Sequence, residues 1–257
     1  YRDTFLVNDW LSKKTYLWRP RWDGAVLRPA NGDFSTFIEG GSSLFRPTDL
    51  EFGPDGALWI LGWSSGYGAE WDGKQLTNEG RIFRVVWKDA PPAQPLVSKA
   101  LAEFSIEELL REFDSPLPVR RINAQDELVR RGRSVLTQLL KLVEGHSLTE
   151  NQETWTIWSL GRMPDATSLA NILHDTLQST SATKRIVNRQ VQAVRILSYR
   201  AKQFQASDHL AESMRIAFRH PQPRVRFAAV QAIHEAHRSK LVPDLLDLLE
   251  NESDGAI

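Results

Sequence analysis

Cysteine is absent from all 257 residues, which excludes disulfides, thiolate metal sites and covalent haem attachment within this chain. Long hydrophobic runs are lacking too. No apolar stretch approaches the length a membrane-spanning helix needs, and no signal-peptide pattern opens the chain. Nor is there an excess of either charge: 32 basic residues face 32 acidic ones. Residues 1–100 and 101–257 are each balanced on their own, so neither carries the basic surplus of a nucleic-acid binder. Tyr1 stands where an initiator methionine would, inside a strand-like run, and 251–257 stops where another helix would open. The expectation is a piece of a longer chain.

What is present changes character near residue 100. The first hundred residues hold 11 of the 15 glycines and 7 of the 9 tryptophans. Their apolar residues fall in short β-like runs at 4–10, 15–18, 34–38, 50–52, 57–63 and 81–87, separated by turn signals such as Asp23-Gly24, Asn31-Gly32 and Asp72-Gly73. Residues 50–60 read as a hairpin, with Pro54 presetting the turn and Gly56 supplying positive φ. Short antiparallel strands at this spacing suit a sandwich, a barrel or a propeller. Asp89-Ala90-Pro91-Pro92-Ala93-Gln94-Pro95 then forbids regular structure.

After Ala100 the period becomes helical. Ser105 is placed to cap a helix over 106–113, with Glu107 and Glu108 in its first turn. Further helices are predicted at 119–131, 135–143, 150–162, 168–177, 184–204, 208–219, 224–237 and 241–249. They look like copies of one another. Arg121, Arg189 and Arg226 lie near helix starts, each followed seven residues later by an apolar anchor: Leu128, Ile196 and Ile233. A looser copy runs 153–160, with Trp155, Ile157 and Trp158 as bulk. A period of this size belongs to two-helix repeats. Pro223-Arg224-Val225-Arg226-Phe227-Ala228-Ala229-Val230-Gln231-Ala232-Ile233 and Val242-Pro243-Asp244-Leu245-Leu246-Asp247-Leu248-Leu249 resemble the HEAT family.

The run Phe45-Arg46-Pro47-Thr48-Asp49-Leu50-Glu51-Phe52-Gly53-Pro54-Asp55-Gly56-Ala57-Leu58-Trp59-Ile60, with Gly80-Arg81-Ile82-Phe83-Arg84-Val85 after it, resembles the last blades of glucose/sorbosone dehydrogenase-like propellers. The fuller likeness is to the multidomain dehydrogenase-like proteins of planctomycete and verrucomicrobial bacteria: an exported propeller, then HEAT-like repeats, then a c-type cytochrome domain. That resemblance implies a periplasmic or otherwise exported parent whose complete propeller binds pyrroloquinoline quinone. The family's Arg-x-Arg-Asp sequence at the cofactor site reads Arg46-Pro47-Thr48-Asp49 here, so Arg46 matches its first arginine and Thr48 replaces the second. The family's cofactor lysine corresponds to Lys13 or Lys14.

Each candidate has a plainer alternative. Arg46 either faces an anionic cofactor, which its planar fork suits, or pairs with Asp49 or another carboxylate. Asp49 and Asp55 offer oxygens for calcium, and equally read as a local pair and a turn residue. Trp63, Tyr67 and Trp71, on a Gly- and Ser-containing loop, either stack a sugar substrate or pack against protein. His234-Glu235-Ala236-His237 spaces its histidines by three, which is wrong for a zincin. Arg120, Arg121, Arg130, Arg131 and Arg133 have acids close by and read as salt-bridged faces.

The expected architecture is two domains: the last one to two blades of an incomplete antiparallel β-propeller (1–88), a Pro-rich linker (89–100) and an α-solenoid of HEAT-like helix pairs (101–257). The expected function is part of an exported sugar or polyol dehydrogenase. Its partners would be the remaining blades and a cytochrome c domain of the same parent, with electrons passing to haem c outside this chain. The alternative is a non-enzymatic scaffold with a protein partner on the HEAT surface. Neither reading involves nucleic acid or a membrane span.

Overall fold

The computed structural model describes residues 4–29, 35–40, 45–63, 80–89, 99–201, 209–236 and 241–257. The chain divides into two units. The first comprises Tyr1–Arg21, Leu27–Ala100 and Pro116–Arg120; the second comprises Trp22–Val26, Leu101–Ser115 and Arg121–Ile257.

Eight short strands are present among the described residues. β1 (Phe5–Asp9), β2 (Lys14–Trp18) and β5 (Ser35–Glu39) form one antiparallel sheet in the order β1-β2-β5. β3 (Pro20–Asp23) and β4 (Val26–Pro29) make a separate two-stranded ribbon. β6 (Pro47–Phe52), β7 (Leu58–Gly62) and β8 (Arg81–Val85) form the third sheet, antiparallel throughout. The β6–β7 turn follows from its residues. Gly53 N–H donates to the Ala57 carbonyl at 2.9 Å, Asp55 accepts from Ala57 N–H at 3.1 Å, and Gly56 sits at φ +78°, open to glycine at little cost. Burial alternates along β7, with Leu58 and Ile60 inside and Trp59 and Leu61 outside. Phe45, Leu58 and Ile60 are the buried centre, ringed by half-buried Leu6, Phe37, Leu50, Phe52 and Phe83.

Nine α-helices follow among the described residues: α1 (Ile106–Glu112), α2 (Pro118–Arg131), α3 (Arg133–Glu144), α4 (Glu150–Arg162), α5 (Leu169–Leu177), α6 (Lys184–Tyr199), α7 (His209–Phe218), α8 (Pro223–Ala236) and α9 (Val242–Asn251). Side chains satisfy orphan N–H groups at the starts of α1, α4 and α6. Ser105 with Glu108, and Thr149 with Gln152, form reciprocal capping boxes on α1 and α4, and Thr183 caps α6. From α4 onward each helix packs on the helix two places along: α4 on α6, α6 on α8, α5 on α7 and α7 on α9. One apolar core results, with Leu128, Leu139, Leu160, Leu173, Ile196, Leu197 and Leu210 fully buried. Gly161 lets α4 approach α6 closely, since a Cβ there would lie 2.9 Å from Ile196 Cγ2.

These findings correct the expected fold class. The chain is mixed α/β, with three small antiparallel sheets of three, two and three strands beside its helices among the described residues. It is not the end of a β-propeller followed by an α-solenoid of HEAT-like pairs. A propeller blade needs four strands bonded side by side. Here β3 and β4, bounded by Pro20 and Pro29, which lack ladder donors, pair only with each other, and β5 joins β2 directly. Periodicity located the strands and helices but did not encode which strands pair or how the helix pairs turn.

Candidate functional site

The strand ends of the first unit gather most of the sequence-nominated residues. Lys14 opens β2, opposite Asp9 of β1 on one side and Glu39 of β5 on the other. Lys13 precedes it in the turn, at φ +58°, and its carbonyl accepts from Gly40 N–H at 3.4 Å. Arg46 immediately precedes β6, and its carbonyl accepts from Trp63 N–H at 2.8 Å, just past the end of β7. The Arg46 guanidinium lies over the Trp10 ring, 4.5 Å from its centroid, which ties this edge to the β1–β2 turn. Lys13, Lys14, Arg46 and Trp63 therefore occupy one end of the unit's two three-stranded sheets. Tyr67 and Trp71 lie outside the described residues.

Within that end, Lys14 is paired with Glu39 at 3.3 Å. Arg46 is held by a cation–π contact with Trp10, worth about 0.5–2 kcal/mol depending on desolvation. Asp49 instead accepts from the adjacent Leu50 N–H, and Thr48 donates to the Leu61 carbonyl at 3.1 Å. Asp55 is occupied by Arg84, whose Nε and Nη2 donate to it at 3.1 and 2.7 Å. That guanidinium holds its carboxyl below the usual range. Among the described residues no cluster of His, Asp and Glu has the makings of a metal site.

The outer face of the third sheet was not legible beforehand. Register sets Glu51, Trp59 and Arg84 in one row across it and Asp49, Leu61 and Ile82 in the next. Trp59 is 39% exposed, Leu61 48% and Ile82 70%. Arg84 reaches over the Trp59 ring at 5.7 Å. The result is an exposed aromatic and aliphatic strip with carboxylates along its β6 side. The unbroken apolar run at 57–63 was the available signal that both faces of the strand are apolar, but it does not say which face stays in water.

In the second unit the charged residues are mostly engaged in holding helices. Buried Glu153 of α4 accepts from Arg189 of α6 at 2.7 Å and from Arg185 at 3.1 Å, and Arg189 also donates to His146 Nδ1 at 2.8 Å. Of the basic run, Arg130 and Arg131 bind neighbouring Glu127, while Arg133 binds Asp165, distant in sequence, and Arg121 donates to the Ser115 carbonyl. Arg130 foremost holds Glu127 down at about 2. Arg226 does the same for Glu252, also about 2. A cleft of about 420 Å³ opens beside Gln178, Thr180, Glu212, Arg215, Arg219 and His220. Its arginines already reach Asp244, at 3.3 and 3.4 Å. Burial lowers the His220 pKa, and its Nδ1 accepts from Gln222 N–H at 3.1 Å. The side chains of His234 and His237 lie outside the described residues.

On the outward side of α4 and α6 a polar ladder runs from Thr154 to Asn188, to Gln192 and on to Trp158, whose indole N–H donates to Gln192 at 3.0 Å. Trp158, read from the sequence as core bulk, is thus half core and half surface. Tyr199 continues the strip, 6.2 Å from Trp158 between ring centroids. Comparison with protein-family models, with curated proteins and with solved structures finds no match to this chain.

Proposed function

We propose that this chain is a protein-interaction module whose binding face is the outer surface of the β6–β7–β8 sheet. The observation that carries this reading is the exposed Trp59–Leu61–Ile82 strip, fixed in cross-strand register and rimmed by Asp49, Glu51 and Arg84. A contiguous apolar patch inside a polar rim is the surface type that protein partners desolvate. Tryptophan at its centre supplies the large, stiff contact area typical of binding hot spots. The partner's chemistry follows from the rim: an apolar anchor, flanked by basic side chains that meet Asp49 and Glu51. A photo-crosslinking residue at Ile82 tests this. The reading expects one stoichiometric protein adduct, lost when Leu61→Asp is introduced. An adduct that survives that change, or none at all, overturns it.

A second reading rests on a separate observation, the gathering of Lys13, Lys14, Arg46 and Trp63 at one end of the strands. That end would hold an anionic cofactor of quinone type in a sugar dehydrogenase, with electrons leaving through a haem domain elsewhere in an exported parent. Calorimetric titration with pyrroloquinoline quinone separates the two. Saturable heat lost in Arg46→Ala favours the cofactor, and no saturable heat favours the interaction module.

A further inference from the structure

β8 is the open edge of the third sheet. Among the described residues it pairs with β7 alone. Two bonds at the ends of β7 fix which way its backbone groups point. The Ala57 carbonyl accepts from Gly53 N–H, and Trp63 N–H donates to the Arg46 carbonyl, both toward β6. Backbone direction alternates along a strand, so Trp59 and Leu61 also face β6, while Leu58, Ile60 and Gly62 face β8. Their partners there are Val85, Phe83 and Arg81, in an unbroken register. The N–H and C=O groups of Ile82 and Arg84 therefore point away from β7 into the open edge. No backbone bond to another described segment takes them up.

The usual guards of a strand edge are missing from β8. Pro20, Pro29 and Pro47 stand in β3, β4 and β6, and the β2–β5 and β6–β7 pairings carry register shifts. β8 has neither a proline nor a shift. Its arginines do not screen the edge either. Arg84 is drawn back across its own sheet by Asp55 and Trp59, and Arg81 turns onto the Gly80 carbonyl. Ile82 stays exposed, as do Val86 and Trp87 just past the strand. Unpaired backbone groups flanked by apolar side chains are a template for one more strand.

We propose that the added strand is β8 of a second copy, so that two chains form a two-fold dimer with one six-stranded sheet. The residues of β8 suit pairing with themselves. Set antiparallel about a two-fold axis at Phe83, Ile82 of each copy lies opposite Arg84 of the other, and the unpaired groups of both edges meet. No arginine then stands directly opposite an arginine, as an axis at Arg84 would require. The contact is isologous and closes on itself. On the outer face, the row of Trp59 and Arg84 in one copy continues into Ile82 and Leu61 of the other, which joins the two apolar strips. This dimer goes beyond the sheet-face reading, because it rests on the backbone of the edge and not on what covers the face.

The test is sedimentation equilibrium of the 257-residue chain, with amide hydrogen exchange followed residue by residue. The wild type sediments at twice the 29.2 kDa of one chain. Exchange at Ile82 and Arg84 slows by about tenfold or more as the concentration rises from monomer to dimer, while Phe83 and Val85 are protected throughout. Ile82→Pro removes a donor that β7 does not use. It sediments as a monomer in which Phe83 and Val85 are still protected. Ile82→Thr keeps the donor and the β-branch and stays a dimer. Leu61→Asp also stays a dimer, although it abolishes the binding that the sheet-face reading expects. A self-adduct from a crosslinker at Ile82, at twice the mass of one chain, supports the dimer and is distinct from the partner adduct of that reading. A monomer at every concentration overturns the proposal. So does a dimer whose Ile82 and Arg84 amides exchange freely, or one that Ile82→Pro leaves intact.

Discussion

The two units are built on different scales of core. In the strand unit, three buried side chains, Phe45, Leu58 and Ile60, carry the centre, and large apolar side chains remain outside on the third sheet. In the helical unit a single core runs from Phe104 to Leu248, and its charges are spent on clamps between helices. Leu128, Leu160 and Leu173 there have no exposed surface at all. The helical unit buries most of its apolar residues in one core and pairs most of its charges, with Tyr199, Leu246 and Leu249 left outside. A small unit that leaves Trp59, Leu61 and Ile82 in water gains from a partner that covers them.

The largest effects should come from the cores. Leu160→Ala opens a cavity in the helical core and should cost about 2–5 kcal/mol, seen as a lower denaturation midpoint at unchanged slope. Ile60→Ala removes the most deeply buried apolar side chain of the third sheet. It should abolish hydrogen-exchange protection in β6–β8 and leave α4–α8 protected. Equal loss in both units would break the contrast.

Next come the clamps. Glu153→Ala leaves Arg185 and Arg189 facing each other without their shared acid, a change of about 3–5 kcal/mol for a buried pair. Gly161→Val forces a larger side chain against Ile196 and should cost about 1–3 kcal/mol. Both are read by thermal unfolding of the helical unit. Acid acts on the same features. Glu127 and Glu252 titrate at about 2 rather than the ordinary 4.5. Their contribution is therefore present above pH 4.5 and is lost as the pH falls from there toward 2. It amounts to roughly 1–2 kcal/mol each, with solvent screening allowed for. Glu252→Gln should flatten that part of the pH–stability curve. The smallest effect is at a cap: Ser105→Ala removes the α1 capping box and should cost about 1 kcal/mol.

Much of the local structure was legible because its causes are local. Glu150–Arg162 forms a helix where the sequence placed one, since Thr149 caps it and Pro164 follows it. Pro54-Asp55-Gly56 makes the turn its residues require. Of the repeated arginines, Arg121 and Arg226 share a physical role. Arg121 donates to the Ser115 carbonyl and Arg226 to those of His220 and Pro221, each closing the turn before its helix. Arg189 donates instead to Thr176 near the end of α5. Long-range pairing was not legible. Pro20 and Pro29 withhold ladder donors but do not say that β3 and β4 pair with each other, and nothing near Arg46 names Trp10 as its partner. The burial of Glu153 was not legible either, since its partners Arg185 and Arg189 are distant in sequence. Of the nominated site residues, Lys13, Lys14, Arg46 and Trp63 came together because strand ends converge, which the hairpin pattern implied without specifying.

The central claim is that the sheet face, and not the helical surface, binds protein. It is tested most directly by calorimetry of the protein captured at Ile82 against three variants. Leu61→Asp and Ile82→Lys should each weaken binding about tenfold or more, while Tyr199→Ala on the helical unit should leave it unchanged. Equal affinity for the wild type and both sheet variants would contradict the account.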